Sequence, residues 1–124
     1  MSSVLVIEDD PDMRGLLVLM LEDQGHIVRS AANGRAGLEA IHQERPDVIL
    51  LDMKMPVMDG WEFARRYRGE CRDPSPIVVM TAAEDPRKPA EEIGAAGWLA
   101  KPVELDVLFD TVKHAAARAS AVPA

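Results

Sequence analysis

Acidic residues and one lysine stand where apolar runs stop. Glu8-Asp9-Asp10 follows Val4–Ile7, Asp52 follows Val48–Leu51, Lys101 follows Trp98-Leu99-Ala100, and Thr81 closes a fourth run, Ile77–Met80. Two carboxylates about 5 Å apart repel by roughly 3 kcal/mol at an effective dielectric near 20, a penalty that a divalent cation turns into attraction. The donors are hard oxygens with no thiol or imidazole beside them, so the ion expected is Mg2+, held by one or two carboxylates, a backbone carbonyl and waters. A carboxylate next to such an ion can attack a phosphoryl group and form an acyl phosphate. Lys101 would supply a mobile positive charge and Thr81 a hydroxyl donor. Singly, each residue has a plainer explanation as a helix cap, a turn residue or a solvated lysine. Their joint placement at four strand ends is what carries the reading.

That placement requires a fold in which strand ends converge. Strand-like runs alternate with amphipathic helices five times, which predicts an α/β fold. Val4–Ile7, Val48–Leu51 and Ile77–Met80 are continuously apolar, as expected of central parallel strands covered on both faces, whereas His26–Ala31 is mixed and suits an edge. The expected architecture is a doubly wound, flavodoxin-like sheet of five parallel strands in order 2-1-3-4-5. The first and third strands then meet at the switch point, bringing Glu8, Asp9 and Asp52 together.

The helices follow from periodicity and punctuation. Met13, Leu16, Leu17, Met20 and Leu21 form a stripe expected to pack on the sheet, ending near Gly25. Asn33 is read as the N-cap of a second helix that runs to about Arg45 with small residues Gly34 and Gly37 on its inner face, and Pro46 stops it. Met55-Pro56 and Asp59-Gly60 fit a turn in which glycine takes positive φ. Pro86 and Pro89 restrict the fourth helix to about Pro89–Ala95. The last presents Leu105, Leu108, Phe109, Val112 and Ala116, then an alanine-rich tail.

The 124 residues are expected to form a single domain, 1–124, with no room for a second folded unit. No stretch approaches the roughly 20 apolar residues of a membrane span, so the expected location is cytoplasmic. Cys71 is the only cysteine, which rules out an internal disulfide and a multi-thiolate zinc site. A formal net charge of -7 opposes direct nucleic-acid binding. Arg65, Arg66, Arg68 and Arg72 are expected on a solvated helix face, with Phe63, Ala64 and Tyr67 inward.

The segments VLVIEDDPDMR (4–14), DVILLDMKMPVMDGWE (47–62), TAAE from Thr81 and GAAGWLAKP ending at Pro102 resemble the receiver domain of two-component response regulators, a likeness covering residues 3–118. The resemblance implies that Asp52 is the phosphoacceptor. It implies that Asp9 and Asp52 bind Mg2+ directly with the Lys54 carbonyl, and that Glu8 acts through water. Thr81 would bond the phosphoryl group, Lys101 would pair with it, and a cis bond would precede Pro102. Trp98 stands where the family places its switch aromatic, although so bulky an indole could equally fill the core. The implied partners are a sensor histidine kinase or phosphotransfer protein and a downstream protein docking on the 84–118 face. The chain would be a monomer or a phosphorylation-dependent dimer. The segment between Thr81 and Lys101 is shorter than the family pattern, and Lys54 and Ala83 occupy positions that tune dephosphorylation.

Three other readings are weaker. A Mg2+-dependent phosphohydrolase would place a second aspartate two residues after its nucleophile, where this chain has Lys54. A phosphorylation-independent docking module leaves the acidic set unexplained. A histidine phosphotransfer protein would be a helical bundle, whereas His42 lies in an ordinary α/β helix.

Overall fold

The computed structural model describes residues 2–120. Five strands alternate with five helices: β1 (Ser3–Ile7), α1 (Pro11–Asp23), β2 (Ile27–Ala31), α2 (Gly34–Gln43), β3 (Val48–Asp52), α3 (Gly60–Glu70), β4 (Ile77–Thr81), α4 (Arg87–Ile93), β5 (Gly97–Ala100) and α5 (Leu105–Ser120). All pairings are parallel, in the order β2-β1-β3-β4-β5, with Val4 opposite Val48 and Asp52 opposite Met80. The expected topology is therefore the observed one, and the mixed run ending at Ala31 is an edge.

Alternating residues of the apolar strands feed two cores. Leu5, Ile7, Ile49, Leu51 and Val79 meet Phe63, Tyr67 and Ile93 on the α2–α3–α4 face. Val4, Val6, Leu50, Met80 and Leu99 meet Leu17, Leu21, Leu108 and Val112 on the α1–α5 face. Covering a strand on both sides removes the need for polar alternation, which is why β1, β3 and β4 read as unbroken apolar runs. Gly37 lets α2 lie close to β1, since a Cβ there would come within 2.6 Å of Ile7 Cδ1.

Several local expectations need correction. Leu16 points outward, 48% exposed, so the α1 stripe on the sheet is carried by Leu17 and Leu21. Leu105 is likewise exposed at the start of α5. The second helix ends at Gln43, short of Arg45. The fourth begins at Arg87 and ends at Ile93, not at Pro89 and Ala95. Pro89 then lies in the first helical turn, where its missing N–H had no partner to lose, and Gly94 ends the helix in the left-handed region (φ 65). The positive φ after β3 belongs to Val57 (φ 72), not Gly60. The Met58 N–H donates to the Pro56 carbonyl at 2.8 Å, closing a three-residue turn around Val57. Gly60 serves close approach instead, since a Cβ there would stand 2.8 Å from Met53 Cα. The end of the alanine-rich tail, 121–124, lies outside the described residues.

Candidate functional site

The carboxyl end of the sheet collects the residues that the sequence scatters. Glu8 follows β1, Asp52 ends β3, Thr81 ends β4, and Lys101 follows β5. One carboxylate oxygen from each of Glu8, Asp9 and Asp52 lies within 4.8 Å of the others. Glu8 and Asp52 are buried, Asp52 to 4% exposure, and Asp9 is more open than either. Lys101 Nζ reaches Glu8 Oε1 at 2.7 Å and Asp52 Oδ1 at 3.3 Å. Its nearer partner is thus the glutamate. The Lys101 N–H also donates to the Thr81 carbonyl at 2.9 Å, and the peptide bond before Pro102 is cis.

The loops that carry these groups are fixed by their own polar atoms. After β1, the Asp10 N–H donates to Glu8 Oε2 at 3.2 Å, while Asp10 Oδ1 accepts from the Asp12 N–H and caps α1. After β3, the Lys54 N–H approaches Asp52 Oδ1 at 3.4 Å, and Asp59 caps α3 through the Glu62 N–H at 2.9 Å. Thr81 Oγ1 accepts from the Ala83 N–H at 3.0 Å, which leaves the hydroxyl proton available to another acceptor.

Three acidic side chains against one lysine leave the pocket short of positive charge. Burial, reinforced by hydrogen bonding with Glu8 and by its negative charge, pushes Asp52 up to about 7. Burial acts the same way on Asp9, but hydrogen bonds with Glu8 and Asp52 outweigh it and hold that carboxyl below its ordinary value. Burial would lower Lys101, yet its hydrogen bond to Glu8 and the negative charge of Asp52 and Glu8 hold it above its ordinary value. The donor set fits a divalent cation: hard oxygens close together, partly buried and under-neutralised.

Every residue expected at the site from the sequence lies at this pole except Trp98. Its side chain is 44% exposed on the edge strand β5, so it does not fill the core. Sequence reasoning also missed Arg14, whose Nη1 donates to the Glu8 carbonyl at 2.8 Å and lies 3.4 Å from the Asp9 carbonyl. The available signal was a positive charge near the N-terminus of α1, where the helix dipole disfavours one.

A doubly wound sheet with acidic residues, a hydroxyl and a lysine at one pole defines a class of small α/β domains with a cation-dependent reaction site. The chain belongs to the response regulator receiver domain family, which it matches over residues 4–113. Domains of this family accept a phosphoryl group on an aspartate from a histidine kinase and bind Mg2+ in an acidic pocket. The chain is 36% identical over 112 residues to sporulation initiation phosphotransferase F of Bacillus subtilis, covering 89% of this chain and 90% of that protein. It is 43% identical over 110 residues to the transcriptional regulatory protein AfsQ1 of Streptomyces coelicolor, covering 87% of this chain and 48% of the relative. It thus spans about half the length of the second relative. Among solved structures, the chemotaxis response regulator CheY4 of Vibrio cholerae superposes with a TM-score of 0.85 at 35% identity, over 93% of this chain and 98% of that one. The receiver domain of a signal transduction histidine kinase from Syntrophus aciditrophicus gives 0.87 at 30% identity, over 100% and 96%. Among the described residues no helix is long and apolar enough to cross a membrane.

Proposed function

We propose that Asp52 is the phosphoacceptor, receiving its phosphoryl group from a sensor kinase or phosphotransfer-protein histidine, or slowly from a small phosphodonor. The observation that carries this is the meeting of Glu8, Asp9 and Asp52 within 4.8 Å, with Lys101 Nζ 3.3 Å from Asp52. An Asp52 oxygen forms the new O–P bond as the P–N bond to the donor imidazole breaks, and the electron pair and a solvent proton end on the imidazole.

Asp9, Asp52 and the Lys54 carbonyl would hold Mg2+, with Glu8 acting through water. Both Glu8 oxygens are already engaged, one by Lys101 and one by the Asp10 N–H, which suits an indirect role. When bound, the ion neutralises phosphoryl oxygens and restores the Asp52 carboxylate to its ionised form. Lys101 offsets charge on the acid and on the transferred group, and the Thr81 hydroxyl proton is free to donate to a phosphoryl oxygen.

The chain acts as a phosphoacceptor signalling domain rather than a turnover enzyme, located in the cytoplasm. Phosphorylation would shift Thr81 and Trp98 and alter contacts on the 84–118 face, as a monomer or a phosphorylation-dependent dimer. The test is gel mobility on a phosphate-binding gel after incubation with acetyl phosphate and Mg2+. A shifted band is expected for the wild type and none for Asp52→Asn or in EDTA. Wild-type labelling efficiency in either control would overturn the assignment.

A further inference from the structure

Arg14 is a cation at this pole to which the reaction assigns no part. It sits in α1, one turn after Asp10, and its main-chain N–H donates to the Asp10 carbonyl at 2.9 Å. Its guanidinium turns back beneath the loop after β1, with Nη1 2.8 Å from the Glu8 carbonyl and 3.4 Å from the Asp9 carbonyl. Among the described residues no carboxylate lies within ion-pairing distance of it. A surface arginine beside three acids would ordinarily take one of them, which would remove a ligand from the pocket. Here the charge goes to two backbone oxygens instead, and the guanidinium occupies none of the three carboxylates.

The consequence is geometric. The Glu8 and Asp9 carbonyls are both engaged by a single guanidinium nitrogen, Nη1, the second at the longer distance, and the Asp10 amide is engaged by Glu8 Oε2, so the peptide groups on both sides of Asp9 are tied to neighbouring side chains. Asp9 is the more open of the three acids and has the most freedom to lose when an ion arrives. We infer that Arg14 is a positioning residue that pre-sets the Asp9 carboxylate for the divalent cation, an inference that rests on the metal reading above. Groups that orient a ligand without touching the metal commonly change affinity by tenfold or more when removed.

Charge alone would act the other way. A guanidinium near the pocket repels a dication, so deleting the charge would by itself tighten binding. Arg14→Lys keeps the charge but gives up the planar guanidinium and its reach to the two carbonyls, which isolates positioning. Arg14→Gln removes the charge as well, so weaker binding in that variant would run against the electrostatic expectation and could only come from lost geometry.

The experiment titrates Mg2+ into the unphosphorylated protein and follows the amide resonances of the loop after β1. Alongside it, the Mg2+ concentration giving half-maximal labelling by acetyl phosphate is measured, and melting in EDTA verifies folding of each variant. The expected result is about a tenfold weaker Mg2+ affinity for Arg14→Lys, weaker affinity for Arg14→Gln, and labelling that recovers as Mg2+ is raised. Wild-type affinity in Arg14→Lys, with affinity lost in Asp9→Asn, would overturn the role of Arg14 alone. Equal affinity in wild type and Asp9→Asn would instead overturn the metal site, and this inference with it.

Discussion

The two halves of the reaction pole are built differently. On the side of β1 and β3, the strands are wholly buried beyond their first residue, and α1, α2 and α3 each begin with a side-chain cap, from Asp10, Asn33 and Asp59. On the side of β5, the strand has four residues with Trp98 exposed on the sheet edge, and α4 is a seven-residue helix that starts at Pro86 without a side-chain cap. The acids are held by the half with many local constraints. The lysine and threonine border the half with few, which is where a change of arrangement costs least. The pole thus joins a firmly held set of acids to an edge with fewer local constraints.

The largest effect that could break this contrast is on pH dependence. Asp52 is pushed up to about 7, whereas an unfolded aspartate titrates near 3.8. Well below 3.8, at about pH 2 to 3, both states are protonated and Asp52 contributes almost nothing. As pH rises to 7 the unfolded state releases its proton first, so the metal-free protein loses stability, by about 4 kcal/mol at the upper end. The lowered Asp9 acts with the opposite sign and offsets part of it. Urea titrations in EDTA at pH 4.5 and 7.5 should show a fall that Asp52→Asn lacks and that Mg2+ reverses. A wild type and variant with the same pH dependence would mean that the acidic half is not strained by its own charge.

A smaller loss is expected for Lys101→Met, which leaves Glu8 and Asp52 without their cation. Because the lysine side chain is partly exposed, about 2 kcal/mol in EDTA is reasonable, and less in Mg2+. Chemical denaturation with and without the ion measures both. Smaller again is the comparison of caps. Asp59→Ala should cost about 1 kcal/mol, while Pro86→Ala, at an N-cap position whose side chain makes no cap bond, should change stability far less. Equal losses would erase the distinction between the halves.

Much of this was legible before any coordinates. Val4–Ile7, Val48–Leu51 and Ile77–Met80 are apolar without alternation, which specifies central strands, and the polar residue ending each run specifies the pole. The errors arose where local pattern is ambiguous. From Leu16 to Leu21 every residue of α1 is apolar, so periodicity alone could not decide that Leu16 faces solvent. A proline in the first turn of a helix and one that breaks a helix look alike in sequence, which misplaced α4 by two residues. The closer approach of Lys101 to Glu8 than to Asp52, and the turn of Arg14 towards two carbonyls, depend on tertiary distances that no spacing encodes.

Val57 limits what evolution can write in the turn after β3. Its side chain is 76% exposed and buries almost nothing, so the core places no demand on the residue type. Its backbone does, because φ of 72 suits glycine, asparagine or aspartate better than a β-branched residue. Drift at this position should therefore be channelled by torsion rather than by polarity. An alignment of relatives should show those three types recurring there, with valine a minority that tolerates the strain.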